Sequence, residues 1–137
     1  MPSSPAGKPW WRRWFGTRSE RAAARFLRLQ GYRLLARNWT CPHGELDLVA
    51  ADGRTVVFVE VRSTGNDDPW TPATSVDDAK QARLTRVALA FLKSHGLLDH
   101  TARFDVLALC WPARRREPQI VHYRQAFEAV GRFQMFR

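Results

Sequence analysis

Residues 43–62, HGELDLVAADGRTVVFVEVR, constrain this chain more than any other stretch. Two runs rich in Val and Leu flank Asp52-Gly53. Asp-Gly between alternating apolar runs is a strong short-range signal for a hairpin. The pattern predicts strands over 43–51 and 54–62. These strands carry Glu45, Asp47 and Glu60, although Asp is depleted in strands and Glu somewhat less so. A two-residue turn at Asp52-Gly53 opposes Ala51 to Arg54, Asp47 to Phe58 and Glu45 to Glu60. Because side chains alternate faces, Glu45, Asp47, Phe58, Glu60 and Arg62 then share one face. Asp47 and Glu60 become diagonal neighbours, about 7–8 Å apart at the backbone. Glu45 directly across from Glu60 is unfavourable unless a cation intervenes. Hard oxygen donors on adjacent strands suit Mg²⁺ or Mn²⁺.

The segments around this hairpin read as follows. Residues 1–16 pass from Pro, Gly and Ser to aromatic and basic and are expected to form a flexible leader. Arg12 and Arg13 among Trp10, Trp11 and Trp14 suit phosphate neutralisation and base stacking. Docking of the tryptophans on the domain, or a disordered terminus, explains them equally simply. A helix is predicted over 18–30: Thr17-Arg18-Ser19-Glu20 fits a capping box, and Gly31 fits the position just past the helix end. Ala22, Ala23, Phe26 and Leu27 form its apolar stripe. Residues 32–40 read as a strand. Cys41 and His43 have no second pair at structural-zinc spacing. His43 suits a phosphate contact at the rim of the site or a solvated loop.

Residues 63–75 read as a loop, in which Trp70 stacks on a base or plugs the side of the core. A second helix is predicted over 76–95, capped by Ser75, with Asp78 completing the box and Gly96 ending it. Leu84, Val87, Ala88 and Phe91 make its buried stripe. Lys80 lies one turn before Leu84 on nearly the same stripe, and a charge facing a sheet is unusual unless paired. It either snorkels at the helix start or reaches the carboxylates or a bound phosphate, with Arg83 on the same edge. Residues 102–111 read as a strand parallel to its predecessor through a crossover. Arg103 and Asp105 share a face there and suit a structural ion pair. The basic turn Arg114-Arg115-Arg116 precedes a strand at 118–123, and 124–137 read as a short helix or extended tail.

At 137 residues, one domain is expected. Net charge is +9, which points to a polyanionic partner, nucleic acid ahead of membrane. No run of about 18 apolar residues predicts a membrane-spanning helix, and no signal-type apolar core is evident. The two cysteines make no disulfide framework, so a reducing cytoplasm is expected.

The spacing of Asp47 from Glu60-Val61-Arg62 resembles the PD-(D/E)XK nuclease core, and the wider pattern resembles the YraN-type family of endonuclease-like proteins. The stretches that carry it are Glu20 with Ala23 and Phe26-Leu27, Gly31-Tyr32, Asn38-Trp39, Gly44-Glu45-Leu46-Asp47-Leu48, Phe58-Val59-Glu60-Val61, Val76-Asp77 with Lys80 and Arg83-Leu84, and Arg103-Phe104-Asp105-Val106. It spans roughly residues 17–127. The family usually carries Lys where this chain has Arg62.

The resemblance implies an α/β, restriction-endonuclease-like core with a mixed central sheet, element order αβββαββ, flanked by helices. Residues 17–127 would be that domain, between the leader and a tail at 128–137. It further implies Mg²⁺ or Mn²⁺ on Asp47 and Glu60, with Glu45 and the Val61 carbonyl as further donors. Glu20 then completes or orients the metal shell; its other reading is the capping glutamate. Arg62 and Lys80 complete the catalytic set. DNA is the implied substrate, contacted through Arg12, Arg13, Arg62, Lys80, Arg83, Arg114, Arg115 and Arg116, and relatives suggest a homodimer. Arg62 keeps open a nucleic-acid-binding module without turnover, because a guanidinium stays protonated and is a poor base. A scaffold that binds no nucleic acid is a third reading, against which the charge argues.

Overall fold

The Val- and Leu-rich strands form one five-stranded sheet in the computed structural model, which describes residues 10–64, 76–112 and 117–129. The elements are α1 (Trp10–Leu29), β1 (Arg33–Cys41), β2 (Gly44–Asp52), β3 (Thr55–Thr64), α2 (Asp78–Ser94), β4 (Ala102–Cys110) and β5 (Gln119–Phe127). The order is αβββαββ, as expected, and the strands lie in the sheet in chain order. β3 and β4 are parallel, and the other three neighbouring pairs are antiparallel. The parallel pair is joined through α2, the crossover that such a pair requires.

Each sheet face is covered by one helix. Ala23, Ala24 and Leu27 of α1 pack on Leu48, Val57, Val59, Leu107 and Leu109. Leu84, Val87, Ala88 and Phe91 of α2, the stripe predicted from the sequence, pack on Leu46, Val49, Phe58, Phe104 and Val106. The central strands are apolar on both faces because both are covered.

Several local expectations need correction. The helix α1 already runs at Trp10, so part of the supposed leader is helical. Thr17-Arg18-Ser19-Glu20 therefore lies within the helix and caps nothing, which removes the capping explanation of Glu20. Its C-terminal end is as read: Gly31 is left-handed at φ +93. There the Tyr32 N–H donates to the Leu27 carbonyl at 3.0 Å, and the Gly31 N–H to that of Arg28 at 3.0 Å. This is the paired closure that glycine permits.

Asp77, not Ser75, caps α2, its side chain accepting from the Lys80 N–H at 2.8 Å. β5 continues to Phe127, so 124–127 are strand rather than helix or tail. Ser75, Trp70, Arg114, Arg115, Arg116 and the last eight residues lie outside the described ones. Among the described residues, no helix is long and apolar enough to cross a membrane.

Candidate functional site

The β2–β3 hairpin closes one residue later than Asp-Gly suggests. Asp52 pairs with Thr55, Val49 with Phe58 and Leu48 with Val59. The turn is Gly53-Arg54, with Gly53 left-handed at φ +61. Partners thus shift by two residues, which preserves faces, since only odd slips invert them. Asp47 and Glu60 are thus the residues next to the last pair of the ladder, Leu48 and Val59.

The ladder stops at Leu48–Val59 for a visible reason. Leu46 packs on the α2 side and Leu48 on the α1 side. Side chains two apart normally share a face, so alternation breaks at Asp47. Its Oδ2 accepts the Val61 N–H at 2.9 Å. A carboxylate thus takes the place of a strand carbonyl, so the Val61 donor stays satisfied where the strands part.

Along β3, Phe58 belongs to the α2 side and Val57 and Val59 to the α1 side. Glu60 and Arg62 therefore face α2. Glu60 forms an ion pair with the Lys80 ammonium in the first turn of α2. The Glu60 side chain is 11% exposed and that of Lys80 33%. Lys80 sits there because it begins the stripe that continues through Leu84, Val87 and Phe91. Asp47 and Glu60 line one small cavity with Leu46, Phe58, Leu84, Phe104 and Asp105. Arg62 has its Nε shielded from solvent without a hydrogen-bond partner.

The other expected site residues divide clearly. Glu45 does not converge with them. Leu46 packs toward α2, and a side chain at Gly44 would meet Val87 and Arg83 of α2. Glu45 between them is therefore turned to the opposite face. Glu20 is 9% exposed on α1. The preceding Ser19 donates to Ser63 Oγ at 3.0 Å and accepts from Trp111 Nε1 at 3.0 Å. These bonds tie the turn of α1 that carries Glu20 to the carboxyl ends of β3 and β4. Among the described residues, no group of three or more His, Cys, Asp or Glu side chains is arranged to hold a metal ion. The donor set is thus the Asp47 and Glu60 pair. That pair still fits Mg²⁺, which is commonly held by one or two carboxylates plus water and phosphate oxygens. Arg83 is exposed on α2, and the side chains of Arg12 and Arg13 lie outside the described residues.

A second polar cluster occupies the α1 side. The Arg103–Asp105 pair expected from the sequence is formed, Nε to Oδ1 at 3.0 Å. His122 joins Asp105 at 2.8 Å, the Gln125 N–H donates to it at 3.0 Å, and Arg103 also donates to Tyr32 Oη at 2.6 Å and Asp52 at 3.1 Å. Burial opposes the charge on both members. Hydrogen bonds with His122, Arg103 and Gln125 outweigh it and lower the Asp105 pKa. Bonds to Asp105 and Asp52 likewise raise that of Arg103. Sequence reasoning missed His122, Tyr32 and Asp52, because the cluster joins residues as distant in the chain as Tyr32 and Arg103 and no local period marks them.

The model of the uncharacterised protein family UPF0102 matches residues 19–109. The chain is 45% identical over 119 residues to a UPF0102 protein of Rhodopirellula baltica, covering 85% of this chain and 71% of that one. It is 43% identical over 116 residues to one of Moorella thermoacetica, covering 85% and 97%. With one of Myxococcus xanthus the identity is 42% over 118 residues, covering 86% and 92%.

Proposed function

The chain belongs to the UPF0102 family, and from the geometry of its site we propose that it is a metal-dependent nuclease that hydrolyses phosphodiesters in DNA. One observation carries the reading: Asp47 and Glu60, from adjacent strands, line one cavity, and the Lys80 ammonium is seated on Glu60. Two carboxylates and an amine at a sheet's centre are costly to bury. Net charge of +9 supports a polyanionic substrate. The absence of a transmembrane-type helix among the described residues is compatible with action in the cytoplasm.

Asp47 and Glu60 would hold Mg²⁺ or Mn²⁺, which when bound supplies water activation and charge stabilisation at the phosphate. The chain's own residues supply the rest. Asp47 is oriented by the Val61 N–H, which fixes its Oδ2. Arg62, on the Glu60 face, suits bidentate contact with a non-bridging phosphate pair through its terminal nitrogens. Lys80 provides the compact amine that Arg62 does not, suited to neutralising charge at the attacked phosphate.

The test is cleavage of branched, single-stranded and duplex DNA with Mg²⁺ or Mn²⁺, wild type against Asp47→Ala. Metal-dependent turnover in wild type, reduced by about a hundredfold or more in the variant, is expected, as when one essential transition-state group is deleted. Arg62 favours a second reading, a binding module. Tight DNA binding with no turnover under any of these conditions would establish it and end the nuclease reading.

A further inference from the structure

We infer that Lys80 and a divalent cation compete for the carboxylate of Glu60, so that Lys80 sets the metal affinity of the site and is handed to the substrate phosphate when metal enters. This rests on the metal-dependent reading above and adds its order of events.

The argument starts from the seat that Lys80 occupies. Its ammonium contacts Oε2 of Glu60, which lines the cavity together with Asp47. Glu60 is 11% exposed, so solvent screens its surroundings poorly. A small divalent ion needs oxygen donors at about 2.0–2.1 Å in near-octahedral array. An ammonium already donating to that oxygen takes up the lone-pair direction and repels the incoming charge. One carboxylate therefore serves one cation well and two badly.

Lys80 is built to leave. Its backbone N–H is anchored on the Asp77 cap at 2.8 Å, which fixes the Cα at the start of α2. Beyond that Cα lies a flexible four-carbon stem with three rotatable donors, and the side chain is one-third exposed. Displacement from Glu60 thus swings the amine without disturbing the helix. Once metal holds Glu60, the amine is placed to meet a phosphate lying over the same carboxylates. Arg62 cannot make this exchange, because its Nε is enclosed and its planar fork is not a mobile point charge. Ordered binding follows: metal first, with Lys80 released, and nucleic acid second.

The experiment is calorimetric titration of Mn²⁺ alone, at fixed pH and ionic strength, into wild type, Lys80→Met, Lys80→Gln and Asp47→Asn. Lys80→Met keeps the stem and removes the charge, and Lys80→Gln guards against a folding defect in the first. Thermal melts confirm that each variant is folded. Both Lys80 variants should bind Mn²⁺ about ten- to a hundredfold more tightly than wild type at unchanged stoichiometry, the scale on which groups adjoining a metal ligand act. Asp47→Asn should bind far more weakly. If wild type binds Mn²⁺ through Asp47 but neither Lys80 variant binds more tightly, competition is refuted while the metal-dependent reading stands. If no variant shows binding that depends on Asp47, both fall together.

Discussion

Asp105 lies in the middle of β4 with no exposed surface, and its carboxylate accepts from Arg103, His122 and the Gln125 N–H. Removing one partner of such a buried pair leaves the others charged or unsatisfied, which costs about 3–5 kcal/mol. Asp105→Asn should lose that amount at pH 7, read as a lower urea midpoint. The pH dependence has a definite sign. Burial works against the ionised form, but the three sets of hydrogen bonds outweigh it, so the folded pKa lies below the ordinary 3.8. The unfolded chain then binds the proton more readily than the folded one. The contribution is complete above about pH 4 and is lost as pH falls through the lowered folded value. The stability gap between wild type and Asp105→Asn should therefore narrow as pH drops from 5 toward 2. A gap constant across that range would show that the folded pKa is not lowered, and a gap that widens would show Asp105 protonated in the folded protein.

Among the elements, the β2–β3 hairpin carries the site, and its turn decides the register. Gly53 is left-handed while Arg54 is not. Positive φ at only the first central residue belongs to the turn type that takes glycine there. Gly53→Ala should cost about 1–2 kcal/mol, the penalty of placing Cβ in left-handed backbone. Its unfolding slope in urea should be unchanged, since the exposed area is the same. A wild-type midpoint would show that the turn tolerates a side chain. Here the legibility of the sequence has a physical limit. The hairpin, both helix stripes and the shared Glu60–Arg62 face were readable, because periodicity and parity survive a two-residue shift. The divergence of Glu45 was not, because the break in alternation at Asp47 depends on where that carboxylate finds a donor across the sheet. The long first helix escaped because Thr17 looks like a cap locally, whereas the helix runs on through it. His122 and Tyr32 carried no local signal at all, since their partner Asp105 is supplied by the sheet order.

Across the whole molecule, the charge of +9 is distributed over a fold whose carboxylates are largely committed. Asp52 is shared by Arg103 and Arg124, Glu60 is paired with Lys80, and Asp77 is used as a cap. Arginines on α1 and α2 such as Arg18, Arg21, Arg83 and Arg86 remain exposed. If the proposed polyanion binds this surface, it releases counterions, so affinity should track salt. Four phosphate contacts give a log–log slope of about −3.6 on duplex DNA, or about a hundredfold loss between 50 and 200 mM salt. Binding should be sequence-tolerant, because phosphate contacts carry no base information. Arg62 gives the sharpest form of the prediction. If its guanidinium meets a phosphate, Arg62→Ala should reduce the magnitude of the slope by about one and weaken all sequences alike, while Mn²⁺ affinity at Asp47 and Glu60 is retained. Fluorescence anisotropy over a salt series, on two duplexes of unrelated sequence, measures both quantities. A slope near zero for wild type would remove nucleic acid as the partner. An unchanged slope in Arg62→Ala would remove Arg62 from the phosphate path and leave Lys80 as the basic group at the carboxylates.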